Sequence, residues 1–116
     1  MIILYGDGAA GFSLMEFDTF VRHKLGVIAL IGNDGGWTQI ARDQVTTLGD
    51  DVGTVLGYVD YHKVAEGFGA RGIKVDTPQQ MHEAIAETLA ASRAGSPVLL
   101  NAILGKSEFR KGSISI

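Results

Sequence analysis

The sequence predicts an α/β domain, a parallel sheet with helices on both faces, and three observations support this fold class. Short apolar runs bounded by glycine or proline occur at residues 1–5, 27–31 and 97–104, as expected of strands buried between layers. Segments whose apolar residues recur at helical spacing separate these runs. Strands that alternate with helices along a chain pair in parallel.

Composition places residues 1–116 in a single domain and excludes several classes of protein. The chain is 46% hydrophobic and 20% charged, so it is expected to fold. A net charge of −3 gives no attraction to nucleic acid, and the absence of cysteine excludes disulfides and thiolate metal sites. We find no targeting segment and no apolar run long enough to cross a bilayer.

The first half of the chain yields two strands and a long loop. We expect the run at residues 1–5 to be a buried strand and residues 12–23 to be a helix that packs through one face. A second buried strand follows at residues 27–31. A short helical turn at residues 37–43 then leads into an irregular loop at residues 44–59. Because the chain begins inside an apparent core strand, we expect it to lack an N-terminal part.

The second half contains the clearest helix. Asp60 is a good N-cap for a helix that ends near Gly67. A short strand follows at residues 73–75, and Thr77 with Pro78 then opens a helix that Gly95 ends. The last strand at residues 97–104 precedes a polar tail. We expect the three histidines to be surface or capping residues: His23, His62 and His82.

The glycine-rich turn GDGAAG at residues 6–11 follows a strand and precedes a helix, and one alternative for it is a Rossmann-type dinucleotide site. The carboxylate of Asp7 opposes that interpretation. At about 4 Å and an effective dielectric constant near 20, it would repel each diphosphate charge by about 4 kcal/mol. A divalent cation between the two reverses the sign, so Mg²⁺ is expected, with Asn33 as a second oxygen ligand from the neighbouring strand end.

Gly-Asp-Gly followed two dozen residues later by asparagine resembles the cofactor motif of thiamine diphosphate-dependent enzymes, in their C-terminal diphosphate-binding domain. The resemblance implies that Asp7, Asn33 and the backbone carbonyl of Gly35 bind Mg²⁺. It also implies a set of residues that contact the cofactor, comprising those three and Gly6, Gly8, Ala9, Gly36 and Trp37. Core filling remains an alternative role for Trp37.

Four segments narrow the resemblance to a branch: residues 16–23, 32–40, 60–63 and 109–114. They are most similar to acetolactate synthase-like proteins, a branch that includes an endoplasmic-reticulum 2-hydroxyacyl-CoA lyase. Asp34 departs from the pattern, since many relatives have a second asparagine there, and we expect it to matter little for the metal. The intact protein would lie in the endoplasmic reticulum or the cytoplasm.

The branch implies a carbon–carbon lyase or ligase that acts on a 2-hydroxyacyl-CoA or a 2-oxo acid. The catalytic glutamate of such enzymes lies on a pyrimidine-binding domain of the same or a neighbouring subunit, in a homodimer or homotetramer. Nothing in this sequence matches that glutamate, so we assign no catalytic residue and expect the isolated chain to be inactive. The alternative is a non-catalytic truncated module of the same fold.

Overall fold

The computed structural model describes residues 1–106; the segment 109–114 that supports the resemblance lies outside this range. Its centre is a four-stranded sheet in the order β1-β2-β4-β3, with all neighbours parallel. This arrangement confirms the predicted fold class. The strands are β1 Ile2–Gly6, β2 Ile28–Asn33, β3 Arg71–Val75 and β4 Val98–Ile103, and the helices are α1 Asp7–Ala10, α2 Glu16–Arg22, α3 Thr38–Leu48, α4 Tyr61–Gly67 and α5 Pro78–Arg93.

Helices pack on both faces of the sheet, and a separate apolar cluster forms on each face. On one face Phe17 of α2 and Ala65 of α4 pack with Ile31 of β2. On the other face Ala84 of α5 packs with Leu100 of β4. Because successive strand residues point to opposite faces, the apolar runs of β2 and β4 serve both clusters.

Strand β1 differs from its prediction as a buried strand. Ile2 and Leu4 are 68% and 74% exposed, whereas Ile3 and Tyr5 are half-buried. The reason is position: β1 is an edge strand, and α5 covers the same face only over the other strands. The Ile2–Leu4 side therefore carries an apolar surface in the described part of the chain.

Two helical segments also differ from expectation. The helix predicted at residues 12–23 is shorter, α2, with a separate single turn, α1, at the glycine-rich segment. The irregular loop predicted from residue 44 begins later, because α3 continues to Leu48 and ends at Gly49 in the left-handed conformation. No residue of α3 is buried, and its apolar residues Ile40, Val45 and Leu48 are exposed.

The predicted starts of α4 and α5 are confirmed, but their caps differ. At α5, the Thr77 N–H donates to Gln80 Oε1 at 3.0 Å, the exchange typical of a capping box. At α4, Asp60 occupies the N-cap position, yet its carboxylate pairs with Lys63 at 2.7 Å instead of capping the helix. None of the helices between residues 1 and 106 combines the length and hydropathy of a membrane span.

The expectation for the histidines was wrong at one position. His23 and His82 are exposed, as predicted. His62 is buried, because the first turn of α4 packs against β3: a side chain at Gly72 would collide with the His62 carbonyl. The Nδ1 atom of His62 has no hydrogen-bond partner among the described residues.

Candidate functional site

A cavity of about 340 Å³ lies where β1 and β2 end. The parallel register pairs Gly6 with Gly32, which brings the turn after β1 beside the turn after β2. Ligand sites of α/β sheets form at such carboxyl ends, and this volume is in the range of small-molecule sites. Six of the eight predicted site residues line the cavity: Gly6, Asp7, Gly8, Ala9, Gly36 and Trp37.

Asp7 is the buried acid of this cavity. Its side chain is 1% exposed, and its Oδ2 atom has no hydrogen-bond donor among the described residues. Burial raises the pKa of the Asp7 carboxyl, and the nearby carboxylate of Asp34 raises it further, while the N–H groups of Asp7 and Gly36 oppose the shift. The carboxylates of Asp7 and Asp34 therefore lie close enough to repel each other.

Asn33 and Asp34 are adjacent in sequence but lie in different surroundings. Asp34 lines the cavity, whereas Asn33 is fully buried beneath it and does not. The Asn33 Nδ2 group donates to the Val59 carbonyl at 3.1 Å and to Asn101 Oδ1 at 3.2 Å. Asn33 Oδ1 accepts the Gly35 N–H at 3.2 Å. Asp34 is thus the residue whose charge acts on Asp7 in the cavity.

The loop after β2 is held by a short antiparallel bridge between Gly36 and Val55. The Leu56 N–H donates to the Gly35 carbonyl at 2.8 Å, and the Trp37 N–H donates to the Thr54 carbonyl, also at 2.8 Å. In such a bridge the polar groups of the middle residue lie on the opposite edge. The N–H of Gly36 is consequently free to turn toward the cavity, where it donates to the Asp7 carboxylate.

Trp37 covers the glycine turn instead of filling the core. A Cβ atom at Gly8 would lie 2.6 Å from Cδ2 of the indole, so only glycine allows the ring to approach the backbone this closely. Phe12 contacts the ring edge-on, with centroids 5.6 Å apart. The predicted cavity role of Trp37 is therefore compatible with its position, and its fixed indole forms one wall.

The donor set of the cavity suits a hard divalent cation. The described residues contain no cluster of three or more histidine, cysteine, aspartate or glutamate side chains. The lining described here provides two carboxylates and backbone oxygens, without lysine or arginine. Mg²⁺ accepts one or two protein carboxylates and completes its octahedron with water and phosphate oxygens. The buried, donor-free Oδ2 of Asp7 fits such an ion.

Comparison with known protein families identifies the domain. Residues 1–102 match the family model described as the thiamine pyrophosphate enzyme, C-terminal TPP binding domain. The chain belongs to this family. The predicted resemblance is thereby confirmed, and thiamine pyrophosphate, also called thiamine diphosphate, is the cofactor that gives the domain its name.

Individual relatives of this thiamine pyrophosphate-binding domain are much longer proteins. The chain is 50% identical over 115 residues to human 2-hydroxyacyl-CoA lyase 2 and 52% identical to its mouse counterpart, covering 97% of this chain and 18% of each relative. A thiamine diphosphate-dependent 4-hydroxybenzoylformate decarboxylase of Rhodococcus jostii superposes with a TM-score of 0.82 at 27% identity, over 92% of this chain and 20% of the decarboxylase.

Proposed function

We propose that this chain binds thiamine diphosphate through Mg²⁺ held by Asp7 and the loop of residues 33–35. One observation carries the proposal: the buried carboxylate of Asp7, whose Oδ2 atom has no donor among the described residues, faces the carboxylate of Asp34 inside the glycine-turn cavity. A divalent cation removes the repulsion between the two acids and attracts the diphosphate at the same time. Family membership supports the same cofactor.

The proposed ligand set keeps the one expected from sequence and adds Asp34 beside it. Asp7, the Oδ1 atom of Asn33 and the carbonyl of Gly35 would bind the ion, and Asp34 would add negative charge at the cavity. Asn33 Oδ1 and the Gly35 carbonyl each accept one backbone N–H, and each oxygen has a second lone pair that a metal ion can use. Diphosphate oxygens and water would complete the octahedron.

The glycine turn would hold the diphosphate. Gly6, Gly8 and Ala9 line the cavity beside Asp7, and two of them carry no side chain that would separate the backbone from the cofactor. Trp37 restricts access from one side. When bound, thiamine diphosphate supplies a carbanion that can add to a carbonyl carbon, while residues of this chain orient the cofactor and limit access of water to its charged end.

We further propose that the protein containing this domain is a carbon–carbon lyase that acts on a 2-hydroxyacyl-CoA. The 50% identity to the human lyase supports this substrate class over the 2-oxo acids of a decarboxylase or an acetolactate synthase-type enzyme. Alone, the chain would bind cofactor without turnover. The catalytic glutamate would come from a pyrimidine-binding domain in a homodimer or homotetramer, and Phe12, 82% exposed beside Trp37, is suited to that contact.

Calorimetric titration of thiamine diphosphate into the purified chain tests the binding proposal. We expect saturable binding in the presence of millimolar Mg²⁺ and none after EDTA treatment. Equal binding with and without Mg²⁺ would contradict the proposed metal site at Asp7. Metal-independent binding of NAD⁺ in place of thiamine diphosphate would instead support the Rossmann-type alternative.

A separate assay addresses the reaction. The chain alone, incubated with thiamine diphosphate, Mg²⁺ and a 2-hydroxyacyl-CoA, should give no aldehyde. A longer protein that includes the pyrimidine-binding domain should cleave that substrate. Absence of cleavage by the longer, cofactor-loaded protein would favour the non-catalytic alternative.

A further inference from the structure

A polar residue interrupts the most buried strand of the sheet. Strand β4 lies between β2 and β3, and its apolar run contains Asn101, which is 0% exposed. Central parallel strands are normally continuous in apolar residues, because a buried amide must find partners for all its polar atoms. The buried amide of Asn101 is therefore expected to hold specific hydrogen-bond partners.

Asn101 and Asn33 together hold one carbonyl of the loop that crosses the carboxyl end of the sheet. The Nδ2 groups of both residues donate to the Val59 carbonyl at 3.1 Å. Asn101 Oδ1 also accepts a hydrogen bond from Asn33 Nδ2 at 3.2 Å. The three groups form a closed triangle, with each amide fixing the orientation of the other.

The segment fixed by this triangle, residues 54–61, contacts both halves of the proposed metal site. Its first part pairs with the loop of Gly35 to Trp37 through the two 2.8 Å backbone bonds described above. Its last residue, Tyr61, donates its buried hydroxyl to the Asp7 carbonyl at 3.1 Å. One segment thus connects the turn that carries Asp7 to the loop that carries Asp34.

We propose that Asn101 and Tyr61 are positioning residues that set the spacing between Asp7 and Asn33 through the 54–61 segment. The inference rests on the proposed Mg²⁺-dependent binding of thiamine diphosphate. Asn101 orients Asn33 and the Val59 carbonyl, and Tyr61 anchors the far end of the segment to the Asp7 turn. Groups that support metal ligands in this way typically contribute 10- to 100-fold to metal affinity.

The choice of metal distinguishes positioning from general support of the fold. Mg²⁺ demands near-ideal octahedral geometry, whereas Ca²⁺ accepts irregular ligand arrangements. Misplaced ligands should therefore weaken the binding of Mg²⁺ more than the binding of Ca²⁺. A simple loss of folded protein would reduce the apparent affinity of both ions by the same factor.

The test uses the full chain with Asn101→Ala and Tyr61→Phe, titrated with MgCl₂ or CaCl₂ at saturating thiamine diphosphate and followed by the fluorescence of Trp37, the single tryptophan. Thr88→Val is the matched control, because Thr88 is a buried polar residue of α5 in the apolar layer on the other side of the sheet. Tyr61→Phe removes one hydroxyl and keeps the experiment decisive if Asn101→Ala does not fold.

We expect about 10-fold or greater loss of Mg²⁺ affinity in the positioning variants, a smaller loss for Ca²⁺, and wild-type affinities in Thr88→Val. Wild-type Mg²⁺ affinity in Tyr61→Phe, or equal losses for the two ions, would overturn the inference and leave the proposed function intact. No Mg²⁺-dependent binding by the wild-type chain would overturn both.

Discussion

Two pairs of aspartates, one at the end of β3 and one at the ends of β1 and β2, have different surroundings in the fold. Asp60 and Asp76 lie at the surface, and the ammonium of Lys74 lies between them, 3.6 Å from Asp60 Oδ1 and 3.5 Å from Asp76 Oδ1. Asp7 and Asp34 face a cavity whose described lining contains no lysine or arginine. Lys74 thus serves as a shared cation for the first pair.

The pKa shifts of Asp60 and Asp7 also differ in direction between the two pairs. The hydrogen bond from Lys63 lowers the pKa of Asp60, with further contributions from the charges of Lys63 and Lys74. Burial and Asp34 raise the pKa of Asp7. Proteins satisfy buried charges unless a ligand does so, so the contrast indicates which acids maintain the fold and which bind.

Replacing Asp7 should give the largest effect. Asp7→Asn keeps the shape of the side chain and removes its charge, so Mg²⁺-dependent binding of thiamine diphosphate should be abolished at millimolar Mg²⁺. Thermal unfolding of the metal-free chain should shift upward, because the repulsion with Asp34 is relieved. Calorimetry and a thermal melt measure the two changes. Retained binding with a lower melting temperature would make Asp7 a structural residue.

Replacing Asn33 tests how much the hydrogen bonds of its buried amide stabilise the fold. Asn33→Asp substitutes a charge for a fully buried amide that donates two hydrogen bonds, and should lower the free energy of unfolding by about 3 kcal/mol. Urea denaturation of the metal-free chain measures this loss. An unchanged unfolding midpoint would show that the hydrogen bonds donated by the Asn33 amide do not stabilise the fold.

Replacing Gly8 tests the contact between the glycine turn and Trp37. Gly8→Ala places a methyl group against the indole, an overpacking that typically costs about 1 to 3 kcal/mol. We expect about 10-fold weaker binding of thiamine diphosphate and a shifted Trp37 emission maximum. Gly67→Ala is the matched control, because a Cβ atom there meets nothing within 4 Å. Equal behaviour of the two variants would remove Trp37 from the cavity wall.

Replacing Asp60 should give the smallest effect. Its ion pair with Lys63 is exposed, and such pairs contribute little. Because the folded-state pKa of Asp60 is lowered, its contribution is present above the ordinary aspartate pKa of about 3.9 and is lost as the pH falls through the lower folded value. The small difference in melting temperature between wild type and Asp60→Asn should therefore disappear in acid. A difference that grows in acid would contradict this assignment.

The sequence was sufficient for the sheet but not for every helix. Strand β4 and helix α5 follow directly from an apolar run and from Thr77 with Pro78, which are local signals. Helix α3 was underestimated because Val45, Thr46 and Thr47 have low helix propensity and no face of the helix is buried. Its length depends on the bridge and side-chain contacts that follow it, which sequence periodicity does not record.

The site was predictable only in part, for a related reason. Asp7 could be recognised because a carboxylate in a phosphate-binding turn is electrostatically anomalous. Asn33 and Asp34 are neighbours at the end of β2, and which of them faces the cavity depends on Asn101 and Val59, 68 and 26 residues further along the chain from Asn33. Successive side chains of a strand point to opposite faces, so sequence alone does not tell which of the two faces the cavity without the contacts of Asn101 and Val59.

The strand order also has a consequence for how the domain is made. Strand β4 is the last of the four described strands to be synthesised, yet it lies between β2 and β3. During translation β3 has no neighbour in the sheet until β4 emerges, so closure depends on contacts distant in sequence, which form slowly. Because β4 also carries Asn101, the loop of Asp34 gains its final hydrogen bonds only at that step. Competence to bind cofactor should therefore arise at the end of folding.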